Sequence, residues 1–445
     1  MPVRTRTRTR TRTLIPLALG TAFAALVGLL GVRAAAKEAP RPFVVHEWGT
    51  FTSMQGSDGF GLEGLHHEEE RLPDFVYSRT EVRECPLREY GYKGLEVPAE
   101  HVTEKMETPV LYFHSDVRRK VRVRVDFVRG LITQWYPVSN LMGPPERAEE
   151  DGPLDISKVE RSFLEWDIEV LPRTGTQAAG RPAGIPYAEP DHPWTYAREV
   201  EAAYVRTLPR QGEGRMGPVE AEHYLFYRGL GTFTLPLTVE AATNHRGIVK
   251  NGGAHAALSA YVLHADARGR VRFARLGTVP AGGERAFDLS AAKYHEDADL
   301  LREMVVKELD GHGLYEDEAR AMVRTWARQW FASEGTRVMY VVPRAVTDAL
   351  LPLHLDPEPD QLVRVLVGRL EYVTPEVEAA VETALRDRVA DDAAVAEAAT
   401  ARLMRLGRFL EPQVRNVLHR TGDPTVLASG RDLLAALEQE TPTPR

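Results

Sequence analysis

The chain has 445 residues, a formal net charge of -8, and 43% apolar against 27% charged residues, which is ordinary for a globular protein with a real core. No basic tract lies beyond the first residues, so nucleic acid is a poor candidate partner and none is expected. Cys85 is the single cysteine, so no internal disulfide forms and burial alone must hold the fold.

The N-terminus carries the strongest local signal. Arg4, Arg6, Arg8, Arg10 and Arg12 alternate with threonines, an uncharged run spans Leu14 to Val32, and Ala34 and Ala36 precede Lys37. A basic region, an apolar region and an A-x-A step over residues 1–36 form an export signal. The arginines hold the N-terminus in the cytosol, so the remainder is expected to cross to the periplasm or cell surface. Two outcomes stay open. Cleavage after Ala36 releases a soluble protein; retention leaves the Leu14–Val32 helix as an anchor, long enough for a bilayer of roughly 30 Å. Beyond the leader, about 410 residues suffice for two or three domains.

From Phe43 to Leu289 the periodicity is that of strands. Val121, Val123, Val125 and Phe127 alternate with Arg122, Arg124 and Asp126. Arg129-Gly130 then turns into Leu131–Tyr136 as a hairpin partner. Leu164, Trp166, Ile168 and Val170 repeat the alternation. Further strands are expected at Val110–Phe113, His223–Tyr227, Thr232–Val239, Leu258–His264, Val271–Leu276 and Arg285–Leu289. Short strands broken by Gly and Pro predict a mainly β fold, an antiparallel sandwich-like domain over residues 43–289. Pro172 to Pro193 reads as a surface excursion.

The pattern changes at Ser290, which is expected to cap a helix running to Leu309. Tyr315 to Ser333 predicts a second amphipathic helix with Ala319, Met322, Val323, Trp326 and Trp330 on one stripe. Strands at Arg337–Val342 and Leu362–Tyr372 complete an α+β segment, residues 290–373, expected to pack on the β domain. From Thr374 the chain reads as all-α through residue 438, with Thr374 as N-cap and Pro375 at the first helical position. Arg405 to Leu434 resembles a HEAT-type helical hairpin, which must dock because one copy cannot bury its own apolar face.

Three clusters bear chemistry. The first is His46-Glu47 followed by His66-His67-Glu68; imidazole nitrogen and carboxylate oxygen suit zinc or a similar divalent ion. On a strand His46 and Glu47 point to opposite faces. The second places Tyr224, Phe226 and Arg228 on one face of a strand and His223 on the other, a face suited to stacking on sugars or peptides. The third is Glu334, Arg337 and Asp348, where the two acids suit a glycosidase-like pair and the arginine an ion-pair partner. A solvated loop, a core histidine and ordinary ion pairs are the respective bland alternatives. Cys85, next to Pro86 in a charged stretch without an activating partner, reads as an inert thiol. No nucleophile elbow, P-loop, dinucleotide fingerprint or haem spacing is present.

The strings VHEWGTFTS (Val45–Ser53), GLHHEEE (Gly64–Glu70), METPVLYF (Met106–Phe113), HYLFYRGLG (His223–Gly231), SEGTRVMYVVPR (Ser333–Arg344) and LVRVLVGRLEYVTPE (Leu362–Glu376) together resemble an uncharacterised family of exported proteins. It occurs in bacteria such as planctomycetes and myxobacteria. The resemblance covers most of Phe43 to Glu376, implies no established activity and carries no functional residue over.

These readings converge on an exported envelope protein. As an enzyme it would be a metal-assisted hydrolase of envelope polymers, with His46, His66, His67 and His223 as ligands of a divalent metal and Glu47 or Glu68 as general base. The rival is a non-catalytic binding or scaffolding protein that holds envelope polysaccharide or protein on its aromatic strand face and helical tail.

Overall fold

The computed structural model describes residues 42–67, 72–79, 99–144, 154–175, 177–208, 219–295 and 298–439. The leader, Glu68 and Cys85 lie outside them. The first strands are β1 (Val44–Gln55), β2 (Tyr77–Ser78), β3 (Ala99–Glu100), β4 (Glu104–His114), β5 (Arg119–Val128), β6 (Gly130–Tyr136) and β7 (Leu141–Gly143). Next come β8 (Leu154–Asp155), β9 (Arg161–Leu171), helix α1 (Pro193–Ala197), β10 (Tyr204–Thr207), β11 (Ala221–Glu222), β12 (Leu225–Gly231) and β13 (Leu237–Thr243). Then follow β14 (Arg246–Asn251), β15 (Ala257–Ala265), β16 (Val271–Val279), β17 (Glu284–Asp288), α2 (Asp299–Gly311) and α3 (Glu316–Ala327). Last are β18 (Gly335–Val341), α4 (Arg344–Leu350), β19 (Leu353–Asp356), β20 (Gln361–Tyr372), α5 (Pro375–Asp387), α6 (Ala393–Met404), α7 (Leu410–Arg420) and α8 (Pro424–Gln439).

Among the described residues the largest sheet has nine strands in the order β16-β15-β18-β20-β1-β4-β12-β6-β2. Its middle strand explains the architecture. β1 reads VVHEWGTFTSMQ, and all twelve residues are buried, so both faces of the strand are covered. On one side β1 pairs antiparallel with β4; on the other it pairs parallel with β20, Val44 opposite Gln361 through Gln55 opposite Tyr372. A second sheet, β11-β10-β9-β5-β19 with β7 on β9, contributes Val121, Val123, Val125, Phe127, Leu164, Trp166, Ile168 and Val170 to the same core. Arg122 and Arg124 face outward and meet Asp167 and Asp126. The fold is mainly β, two sheets sharing one apolar interior, with a helical C-terminus.

Three expectations are corrected. The segment 290–373 is not a body packed on a finished β domain, because β18 and β20 sit between β15 and β1 and so complete the main sheet, β20 running parallel to β1. Ser290 caps no helix: its N–H bonds to the Asp288 carboxylate at 2.8 Å, closing a turn after β17, and α2 begins at Asp299. The strand expected from Thr232 starts only at Leu237, after Pro236, which lacks a backbone donor. Among the described residues no helix is long and apolar enough to cross a membrane.

Candidate metal centre

β1 and β4 lie antiparallel with His46 opposite Tyr112 and Val44 opposite His114, which places His46 and His114 on one face as diagonal neighbours. Their rings stand 5.1 Å apart between centroids. α3 brings the third group. Its Glu318 sits in the first helical turn, where the carboxylate accepts the Tyr315 N–H at 2.8 Å and thereby serves an end donor of the helix. The same carboxylate reaches both histidines: His46 Nδ1 lies 2.6 Å from Oε2 and His114 Nε2 lies 3.0 Å from Oε1. Tyr315 covers both rings, at 4.5 Å and 4.8 Å between centroids.

The electrostatics suit a cation. His46 and Glu318 are fully buried, and the His46 Nε2 has no hydrogen-bond partner. Burial pushes the Glu318 carboxyl up, but hydrogen bonds from His114 and His46 outweigh it and hold the group below its usual range. One ligand atom from each of the three residues falls within 4.8 Å of the other two. Two imidazoles and a carboxylate form a donor set known from catalytic zinc sites, which keep a fourth position open. His114 and Tyr315 also line a cavity of about 220 Å³ whose polar wall includes Asp116, Arg173 and Glu201. The centre therefore borders a space of its own.

A second group joins His66, His67 and Glu411 of α7. His67 Nε2 lies 3.0 Å and His66 Nε2 3.8 Å from Glu411 Oε2. Here the surroundings are basic. Arg415 donates to Glu411 at 2.8 Å and the Lys105 ammonium bonds the His67 carbonyl at 2.6 Å. Burial first, then the neighbouring His67, lowers the His66 pKa to about 4. Arg415 beside the carboxylate and Lys105 near His66 work against a further cation, so this group is better read as a tie between the loop and the tail.

The four histidines expected to share a metal are thus not brought together: among the described residues His46 joins His114 and Glu318, while His66 and His67 join Glu411. His223 belongs to neither group. It packs edge-on against Tyr204 at 4.9 Å, and burial, then Arg173 and Arg198, lower its pKa to about 3. Glu47 points to the opposite face of β1 from His46, as alternation requires. There it accepts the Tyr227 hydroxyl and pairs with Arg364 Nε at 2.5 Å, so both oxygens are committed and it is no free base.

Tyr224, Phe226 and Arg228 do share one face, but that face is covered. Trp194 of α1 packs on Tyr224 at 5.4 Å and Phe226 at 4.8 Å, the Tyr224 hydroxyl donates to the Trp194 carbonyl, and Arg228 donates to Gln134. What remains between them is a cavity of about 50 Å³, too small for a sugar ring. Glu334 directly precedes the seven-residue β18, whereas Asp348 lies in α4 beyond its far end and pairs with Arg364 there, so the strand, roughly 20 Å at ~3.3 Å per residue, lies between them. That exceeds the ~5–9.5 Å of a glycosidase pair. Asp348 instead bonds Arg344 and Arg364 at 2.7 and 2.8 Å, and buried Arg337 pairs with Glu371 at 2.6 Å.

His114 and Glu318 are the residues that sequence reasoning missed. His114 falls one position past an expected strand, and Glu318 is one of several acids opening a helix. The available signal was its place three residues after Tyr315, where a carboxylate commonly reaches back to the helix start.

No family model matches the chain, and no curated protein does. Among solved structures it is similar to an Fcho1 mu-homology domain from Danio rerio with a bound peptide, at 8% identity and a TM-score of 0.25 over 75% of this chain and 97% of that one. A yeast delta-COP-I mu-homology domain complexed with a Dsl1 peptide gives 7% identity and a TM-score of 0.24 over the same shares. Likeness at this level carries no argument about function.

Proposed function

We propose that the protein is an exported bacterial envelope protein and a metal-assisted hydrolase whose centre is His46, His114 and Glu318. One observation carries this reading: two histidines from adjacent strands converge on a single buried carboxylate, and one of them, His114, lines a polar cavity. A divalent ion bound there would supply an acidified water near neutral pH. The chain's own residues supply the rest. Glu318 orients both imidazoles, Tyr315 shields them from solvent, and Arg173 with Asp116 gives the cavity a polar lining for a substrate. Metal binding at the two histidines displaces protons now shared with Glu318, so affinity should fall in acid.

Metal analysis of the purified protein tests the centre. A single divalent ion per chain is expected, absent from His46→Ala and His114→Ala. An ion present at ~1,000 times its dissociation constant adds about 4 kcal/mol of stability, so chelator should lower the Tm by several degrees. Metal-free protein whose melting ignores chelator would remove the proposal. Bound metal without turnover of any envelope polymer would leave the binding reading in place of the hydrolase.

A further inference from the structure

A larger cavity lies elsewhere and shares no residue with the metal centre. It is a cleft of about 980 Å³ between one end of the main sheet and the helical tail, at the upper end of the ~300–1,000 Å³ usual for ligand sites. Its sheet side is built by the ends of β18 and β20 and by a π-helical turn, Arg328–Ala332, that continues α3. Such turns concentrate at functional sites, because the extra residue spoils regular helix bonding for a local gain. The tail side is built by α5, the end of α6 and the Gly407–Phe409 turn.

The groups facing this space are unmatched in a consistent way. Gln329, on the π turn, and Gln413, on α7, are 5% and 6% exposed, and the carboxamide oxygen of each has no hydrogen-bond partner. Buried polar atoms are nearly always paired, so two unmet acceptors lining one cleft ask for donors from whatever fills it. On the tail side Arg402 and Arg405 are exposed, and neither side chain makes an ion pair with any described residue. On the sheet side Glu334 and Glu376 are likewise without a basic partner among the described residues. Glu371, by contrast, is neutralised by Arg337 and Arg369.

We infer that this cleft binds an acidic saccharide. The occupant must donate hydrogen bonds to Gln329, Gln413 and Glu334 while offering carboxylates to Arg402 and Arg405. A neutral glycan supplies hydroxyl donors and acceptors but no negative charge for the guanidinium groups. A polyanionic peptide supplies carboxylates but only one backbone N–H donor per residue, whereas each uronic acid ring sets more than one hydroxyl donor beside its carboxylate. A chain of uronic acid type carries hydroxyls and spaced carboxylates together and meets both requirements.

Titration calorimetry on the full chain tests this with hexagalacturonate, maltohexaose and poly-glutamate as probes. Hexagalacturonate should bind, and the double variant Arg402→Gln/Arg405→Gln should weaken it at least about tenfold without altering the melting curve, since both side chains are exposed. Gln413→Leu should weaken it as well, with the circular dichroism spectrum showing that the fold is kept. Absence of hexagalacturonate binding overturns the inference. So does binding that the double variant leaves intact, or equal binding of either maltohexaose or poly-glutamate.

Discussion

Glu47 shows how a charged residue in a signature segment is used by the fold. It lies opposite Arg364 in the parallel β1–β20 register, and both side chains are almost wholly buried. Burial works against the guanidinium charge, yet Glu47 beside it raises the Arg364 pKa above its usual value. Removing one partner leaves a buried charge alone, whereas removing both leaves none. Arg364→Met should therefore cost about 3–5 kcal/mol, and Glu47→Gln/Arg364→Met should recover most of that loss. Urea unfolding measures it; an Arg364→Met protein as stable as the parent would show that the pair bears no load. At this scale the sequence was legible only where the cause is local. Alternation separates His46 from Glu47 with no knowledge of the fold, but the partners of both come from 272 and 317 residues away. No local pattern names Glu318 or Arg364.

The helical tail is an element with its own interior. Val381, Leu385, Leu403, Leu410, Val414, Val417, Val426 and Leu433 form one apolar cluster across α5 to α8. It is fixed to the sheets by polar ties as well. Glu378 accepts from the Ser57 N–H and hydroxyl at 3.0 and 2.8 Å, and Arg408 pairs with buried Glu107. Burial pushes the Glu107 carboxyl up, but Arg408, Lys105 and Arg369 hold it down to about 2. Arg408→Met should cost about 3 kcal/mol and act mainly on docking, since the tail's own cluster is untouched. Amide exchange would then quicken in α7 and α8 while β1 and β4 stay protected; unchanged exchange in the tail would refute this role. The helices themselves were readable, because Thr374, Pro375 and the apolar spacing are local signals. The short elements were not. α4 and β19 are too brief to show a period, and they exist because longer neighbours pair with or cover them.

At the scale of the molecule, β1, the first described strand, is completed by β20, the last described strand before the helical tail. The described residues form one compact unit, and no boundary falls at Leu289, where the sequence pattern changes. Composition marks where local structure switches from strands to helices; it does not mark where a core ends, since β20 joins β1 only through long-range pairing. That topology bears on the export proposal. β1 cannot find its parallel partner until some 300 residues more are available, which is compatible with threading an unfolded chain across a membrane. With Cys85 alone it needs no disulfide chemistry on the far side. A phosphatase active only outside the cytosol, fused after Val45, should therefore be active. Replacing Arg4, Arg6, Arg8, Arg10 and Arg12 with glutamate should remove most of that activity, because the charge difference across the apolar run sets its orientation. A fusion that is stably made yet silent would place the protein in the cytosol and end the envelope reading, while leaving the His46–Glu318–His114 geometry to be explained in another compartment.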